Sequence, residues 1–419
     1  MTEKIQAIRG MNDVLPQETV YWQKIETVCR DVVVQYGYRE IRFPILEQTH
    51  LFKRSIGDVT DIVEKEMYTF KDRNEDELSL RPEGTAGCVR AGIEHGLLYN
   101  QIQRLWYMGP MFRHERPQKG RLRQFHQLGV EAFGMLHPAI DVEIILLSKR
   151  ILDQLGLSDK ITLQINNLGD LEQRKRYQEK LVQYFTAHKD QLDEDSIRRL
   201  AKNPMRILDS KNPEIKLLID NAPRLIDFLK SDGNQLNKDH FDQACTALEK
   251  MNIKFEINPH LVRGLDYYCL TVFEWVTNQL GAQGTVCAGG RYDKLVELLG
   301  GKATPAIGFA MGIERLVLLL QEKEKWHNAP DFYVISSLDV KSIEMVEKIR
   351  TQFPAIKIEM DLVETGTPMK RADRSGASCA LLINEDHSIT LKYLREKKES
   401  KIFSLSEFIS FLTHTRFQC

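Results

Sequence analysis

Two aromatic and apolar runs, LWYMGPMFRHE (105–115) and RLRQFHQLGVEAFG (121–134), flank RPQKG (116–120), and this arrangement constrains the chain more than any other. Pro117 and Gly120 supply a bend, so the flanks are expected to pair as antiparallel strands. Between Arg113 and Arg123 the segment carries five cations and one carboxylate. Arginines projected beside a phenylalanine suit a nucleotide, the guanidinium meeting phosphate and the ring meeting the base. A solvated basic hairpin is the plain alternative, since charge runs usually face water.

Two further segments favour a site. LVRGLDYYCLTVFEW (261–275) places Arg263, Asp266, Tyr267 and Tyr268 within six residues of a strand-like run. GFAMGIERLVLLL (308–320) puts Glu314 and Arg315 at the head of an apolar helical stretch. The leucines there are core packing, but a guanidinium among them needs a partner or a ligand.

Together these segments resemble class II aminoacyl-tRNA synthetases. The 112–131 hairpin is similar to that class's motif 2, and GFAMGIERL is similar to motif 3. GYREIRFPILE (37–47), following an amphipathic helix, resembles motif 1. LVRGLDYY and AGGRYD (288–293) resemble the two peptides that mark the histidyl-tRNA synthetase family, and the likeness runs from RGMNDVLP (9–16) into the C-terminal region.

Composition bounds the reading independently. A chain of 419 residues is expected to hold two or three domains at roughly 100–200 residues each. No apolar run reaches the ~18 residues of a membrane span, and the first ten residues lack a signal-peptide core, so a cytoplasmic, non-membrane protein is expected. The seven cysteines form no CxxC pair and no His–Cys ligand spacing, which predicts reduced thiols and no structural metal. With a net charge of −1, any nucleic-acid binding must come from local patches.

The pattern predicts an α+β catalytic domain over 1–325, a mostly antiparallel sheet flanked by helices. Residues 18–36 carry Val20, Ile25, Val28 and Val32 at near-helical spacing and stop at Gly37. Ile41 and Phe43 then alternate into a strand broken by Pro44, tolerated at an edge. The resemblance makes this segment a homodimer contact; a helix–strand pair inside a monomer fits the residues equally well. Strands are expected around MYTFKD, ELSLRPEGT and ITLQIN, and again in KFEINP and LVRGLDYYCLTVFEWV. Helices are expected over GTAGCVRAGIEHGLL and from Pro138. A helical, highly charged insertion at about 169–252 carries no nameable chemistry. EKEKWHNAP reads as a linker. In the remaining 326–419 region, DFYVISS, IKIEMDL and CALLINE alternate with helical stretches, giving a small C-terminal α/β domain with a largely parallel sheet. By resemblance this is the anticodon-binding domain. Lys370, Arg371 and Arg374 at the head of a helix are placed to meet tRNA phosphate or simply solvent.

What the resemblance implies chemically is attack of the histidine carboxylate on the α-phosphorus of ATP, with Mg²⁺ and transfer to histidine tRNA following. Such a transition state needs fixed cations more than a base. Arg113 would bridge carboxylate and α-phosphate, Arg263 would face the α-phosphate, and Arg315 would hold the γ-phosphate end. Phe125 would stack on adenine, with Glu115 near the exocyclic amine and Arg121 completing the ATP set. No GxxxxGK[ST] loop is present. Neutral imidazole has one donor and one acceptor nitrogen; Glu131 would accept from one and Tyr268 donate to the other. Glu83, Thr85 and Gln127 would receive the ammonium, with Gly84 also in the histidine site and Tyr267 in the pocket wall; for Thr85 and Tyr267 a purely structural role is equally open. Arg116 and Gln118 match positions that touch the tRNA acceptor end in the family. For His114, His126 and His137 no second histidine lies at ligand spacing with a carboxylate partner, and they read as ordinary hydrogen-bonded histidines.

A different class of function is a synthetase-like chain without catalysis, a regulatory subunit of histidine biosynthesis or an uncharged-tRNA sensor. A biosynthetic paralogue typically lacks the C-terminal domain and erodes the arginines; here Arg113, Arg263 and Arg315 are all present. The departures are a short stretch between Asp361 and Arg374, and Cys269 and Leu270 after the double tyrosine.

Overall fold

The computed structural model of the protein describes residues 4–57, 60–208, 210, 212–281, 284–326, 328–337, 339–363 and 365–414. The chain divides into two compact units, Met1–Lys325 and Trp326–Cys419.

Runs that alternate every second residue make the first unit's strands: β1 Arg39–Glu40, β2 Leu46–Gln48, β3 Thr69–Lys71, β4 Glu77–Leu80, β5 Gln103–Phe112, β6 Gln124–Phe133, β7 Thr162–Asn167, β8 Glu256–Ile257, β9 Cys269–Val276, β10 Thr285–Arg291 and β11 Ala306–Gly312. Eight of them form one sheet in the order β1-β5-β6-β11-β10-β9-β7-β8, and β2-β4-β3 form a small second one. The five central pairings are antiparallel. Only the terminal pairs, β1 with β5 and β7 with β8, are parallel. The strand of the 37–47 segment is thus short and at the sheet's edge; it ends at Glu40, so the expected continuation through Ile41 and Phe43 to Pro44 lies outside the strand.

The first unit's helices are α1 Pro16–Gln35, α2 Thr49–Ile56, α3 Thr85–Glu94, α4 Ala139–Gln154, α5 Leu171–Ala187, α6 Glu194–Lys202, α7 Lys216–Asp220, α8 Leu225–Ser231, α9 Gln235–Lys250, α10 Leu295–Leu298 and α11 Ile313–Lys323. α1 opens with Pro16 at its first turn and buries Tyr21, Ile25, Val28, Cys29, Val32 and Val33, the stripe that spacing of three and four residues predicts. Each such aliphatic side chain contributes about 1.5–3 kcal/mol by burial. The helix ends where Gly37 takes φ +76°, a left-handed conformation that disfavours any side chain. α5 to α9 build the insertion around buried Tyr177, Leu181, Phe185 and Phe228.

One expectation is corrected. LVRGLDYY is not strand: β9 begins at Cys269, and residues 261–268 are loop and turn. The arginine and tyrosines line the cleft, and the chain enters the ladder at Cys269, opposite Arg291, where a register shift and Leu270 at φ 49° mark the bend.

In the second unit, β12 Phe332–Ile335, β13 Ile358–Met360, β14 Cys379–Ile383, β15 Ile389–Tyr393 and β16 Lys401–Phe403 order as β13-β12-β14-β15-β16. Helices α12 Val340–Gln352, α13 Pro368–Arg374 and α14 Leu405–His414 accompany them. The sheet is mixed rather than largely parallel: β12 pairs parallel with β13 and β14, but β14–β15 and β15–β16 are antiparallel. The reason is local. His387 at φ 61° closes a tight turn after β14, so the chain returns as a hairpin instead of crossing over through a helix.

Candidate active site

Four antiparallel strands, β6, β11, β10 and β9, with the loops beside them, frame a cleft of about 730 Å³ in the first unit. Its walls carry Glu83, Gly84 and Thr85, then Arg113, Glu115, Arg121, Phe125 and Gln127, then Arg263, Tyr267 and Tyr268, and lastly Arg315. The structure therefore brings together residues from four separated stretches of sequence. Arg116 and Gln118 stand exposed on the hairpin loop and do not line it.

The hairpin folds as its two flanks dictate. β5 and β6 pair from Gln103 opposite Phe133 to Phe112 opposite Gln124. The loop between them closes through paired backbone bonds of Gln118 and Arg121 and through Gly120 at φ +72°. Along β6, alternation turns Phe125, Gln127, Gly129 and Glu131 to one face.

Arg113 donates from Nε to the Pro82 carbonyl at 2.8 Å, and its guanidinium lies 5.2 Å from the centre of the Phe125 ring. Burial lowers its proton affinity, with nearby Arg263 adding to the effect. Arg315 donates from Nε to the Gly120 carbonyl at 3.0 Å and also to the Thr285 carbonyl. Its pKa falls to about 10 because it is buried and faces Arg113 and Arg121. Arg263 is ion-paired with Glu274, whose other oxygen accepts from Thr285 Oγ1 at 2.9 Å. The Arg263 guanidinium lies 5.3 Å from the Tyr268 ring centre. Glu115 pairs with Arg121. A cleft holding several buried guanidiniums has a standing demand for anionic ligands.

The acidic side of the cleft is set by Glu83. Its carboxylate accepts from the backbone N–H groups of Thr85 at 2.6 Å and Ala86 at 2.9 Å, at the start of α3. Burial raises its pKa, against the lowering by those two N–H groups.

Glu131 does not line the open cleft. It lies one layer beneath, 1% exposed. Its Oε1 accepts from Thr85 Oγ1 at 2.8 Å and Tyr107 Oη at 2.9 Å, and Oε2 accepts from Tyr292 Oη. Burial pushes its pKa up to about 8, even with three hydroxyls opposing the rise. Two glycines make room for this cluster. Tyr107 crosses directly over Gly129, and Gly308, paired with Glu131 across β6 and β11, lies against the carboxylate; a Cβ at either would collide.

Sequence reasoning missed three features. Tyr107 looked like one more aromatic in a strand, and only the register opposite Gly129 sends its hydroxyl to Glu131. Arg291, noted merely within AGGRYD, is fully buried and pairs with Asp141 at 2.6 Å and Asp293 at 2.9 Å; His240 of α9 joins Asp141 at 2.9 Å. The insertion, which offered no chemistry, supplies Asp193, Asp195 and Arg199 to the cleft's edge. None of these has a local spacing signal, because each depends on long-range pairing.

His126 is held by Glu314, which accepts from its backbone N–H at 2.9 Å and contacts Nδ1 at 3.0 Å. Among the described residues no cluster of three or more His, Cys, Asp or Glu side chains is placed to hold a metal, and no helix is long and apolar enough to cross a membrane.

The fold is shared with known proteins. The histidyl-tRNA synthetase family profile matches residues 10–316. A crystal structure of apo histidyl-tRNA synthetase from S. aureus is 36% identical and superposes with a TM-score of 0.77, covering 97% of this chain and 99% of that one. Histidyl-tRNA synthetase from Nostoc sp. PCC 7120 has the same fold at 17% identity and a TM-score of 0.71, covering 98% and 99%. So does a Bacillus halodurans C protein described as an ATP phosphoribosyltransferase regulatory subunit/histidyl-tRNA synthetase, at 21% identity and a TM-score of 0.62, covering 89% and 97%. This chain belongs to the histidyl-tRNA synthetase family.

Proposed function

We propose that the protein is a histidine–tRNA ligase, activating L-histidine with ATP to histidyl-adenylate and pyrophosphate and then charging histidine tRNA. The observation that carries this reading is the convergence of Arg113, Arg263 and Arg315 on one cleft that also holds Glu83, Gln127 and Tyr268.

In this reading Glu83 and Gln127 receive the histidine ammonium, leaving the carboxylate to Arg113. Arg113 and Arg263 hold that carboxylate and the α-phosphate together, so two anions meet at the cost of already-oriented cations. Phe125, with Arg113 on one face, leaves its remaining surface to the adenine, and Arg121 with Glu115 closes that end. Arg315 takes the terminal phosphate. An imidazole nitrogen bonding Glu131 replaces one of its three hydroxyl donors, while Tyr268 serves the other nitrogen. A pocket that matches both ring nitrogens rejects a residue lacking either by ~10⁴-fold or more. Glu274 and Glu314, the carboxylates beside Arg263 and Arg315, would hold an Mg²⁺ bound with ATP, which would supply charge neutralisation on the triphosphate. Arg116 and Gln118, exposed on the loop, face the tRNA acceptor end, and the Trp326–Cys419 unit binds the anticodon. The Tyr36–Glu47 segment forms a two-fold dimer contact in a cytoplasmic enzyme.

Histidine-dependent ATP–pyrophosphate exchange by the purified protein tests this reading directly. Exchange with histidine and none with the other amino acids is expected; no exchange with histidine overturns it and favours a regulatory role like that in the Bacillus halodurans C protein's description.

A further inference from the structure

Behind Arg263 lies a second cavity of about 350 Å³, within the ligand-sized range of roughly 300–1,000 Å³. It is lined by Arg174 and Lys175 of α5, Lys202 and Arg206 of the insertion, and Arg263 itself, against one carboxylate among the described lining residues, Asp266. Arg263 lines both this cavity and the main cleft.

The cations here are only partly compensated. Lys202 pairs with Glu64 at 2.5 Å, and Arg263 pairs with Glu274. Arg174, however, donates from both terminal nitrogens to a neutral acceptor, the Asp266 backbone carbonyl, at 3.2 Å each. Burial depresses its proton affinity, against the raising effect of Cys269 and Asp266. Asp266 is itself shared, since Asn203 Nδ2 donates to its Oδ1 at 3.2 Å and Arg206 acts on it electrostatically. Two buried polar atoms of the lining residues, the donor Arg263 Nε and the acceptor Asn203 Oδ1, have no hydrogen-bond partner. Buried polar groups are rarely left in that state.

We propose that this cavity is a second anion site, taking a phosphate-class oxyanion of the size of inorganic pyrophosphate. Such an ion offers several acceptors to Arg174 and Lys175, and its negative charge suits a wall of five cations and one carboxylate among the described lining residues. The site shares a wall residue with the cleft, so a pyrophosphate released there has an adjacent basic position to occupy. The existence of the site does not depend on the activity proposed above.

Equilibrium dialysis of labelled inorganic pyrophosphate against the full-length protein counts bound anions without any turnover, so a negative amino-acid exchange assay leaves the count intact. Arg174→Gln/Lys175→Gln is expected to bind one pyrophosphate fewer per chain than the wild type. Lys175 is exposed, so Lys175→Gln alone cannot fail through misfolding, and it should weaken that site several-fold. Unchanged stoichiometry and affinity in both variants overturns the proposal. It is equally overturned if pyrophosphate binding is unchanged while the variants lose tRNA affinity with a shallower salt dependence, because the cations would then serve a nucleic-acid backbone.

Discussion

Replacing Glu131 by glutamine tests whether the buried cluster beneath the cleft is an ionised or a protonated one. The carboxyl's pKa rises from 4.5 in the open chain to about 8 in the fold, with burial as the main cause. A tenfold change in proton affinity is worth ~1.4 kcal/mol, so the whole rise amounts to about 5 kcal/mol. The sign follows from linkage: the folded protein holds this proton more tightly than the unfolded chain, so the stabilisation is full below pH 4.5 and is lost as pH rises through 8. Glutamine has the same shape but no charge, and its amide can accept from one hydroxyl and donate to another. Urea unfolding of the wild type and Glu131→Gln between pH 5 and 9, followed by tryptophan fluorescence, reads the difference. The wild type's stability relative to the variant should fall by several kcal/mol across that range, flattening above about pH 8.5. A difference that stays constant with pH would mean Glu131 is ionised throughout and that its three hydroxyl partners outweigh burial.

Arg263→Ala should slow histidine-dependent exchange by ~10²–10³-fold; because it also strands Glu274, the variant is expected to lose ~3–5 kcal/mol of stability. Arg263→Ala/Glu274→Gln should recover most of that stability with no recovery of rate, and a double variant exchanging at wild-type speed would contradict the assignment. If Tyr36–Glu47 forms the two-fold contact, the protein sediments as a dimer, whereas a fully active monomer at micromolar concentration rules that out. A fragment ending at Lys325, where the first compact unit ends, should still form histidyl-adenylate while charging tRNA far more slowly, since a distant second contact is gone; equal tRNA charging by folded fragment and full-length protein would refute the division of labour.

What could be read from the chain alone were the features written in short-range pattern. The hairpin, α1 with its glycine stop and the antiparallel body follow from periodicity and turn residues, and the likeness of three peptides brought Arg113, Arg263 and Arg315 into one site. The loop character of LVRGLDYY was hidden because aromatic residues have the same strand preference whether they enter a ladder or wall a cleft. The mixed C-terminal sheet was hidden because a two-strand return is decided by one residue's left-handed turn, His387. Tyr107 beneath the cleft and the Arg291 cluster could not be foreseen, since each exists only once strand register and the insertion's packing are set.

The cleft's arginines differ in what restrains them. Arg263 and Arg121 pair closely with carboxylates, whereas Arg113 and Arg315 donate from Nε to peptide carbonyls, Pro82 for one and Gly120 for the other, with Glu115 3.9 Å from Arg113 and the Thr285 carbonyl also bonded to Arg315. A carbonyl aims a guanidinium without cancelling its charge. Arg315 also joins the hairpin loop to β10 through two main-chain acceptors, the Gly120 and Thr285 carbonyls. Mutational drift in the loop's side chains can therefore proceed without loosening that fastening, and an inhibitor that draws Arg315 away from Gly120 would unlatch the loop as it binds. Escape from such a compound by changing loop side chains would be difficult, because the contact it displaces involves no loop side chain.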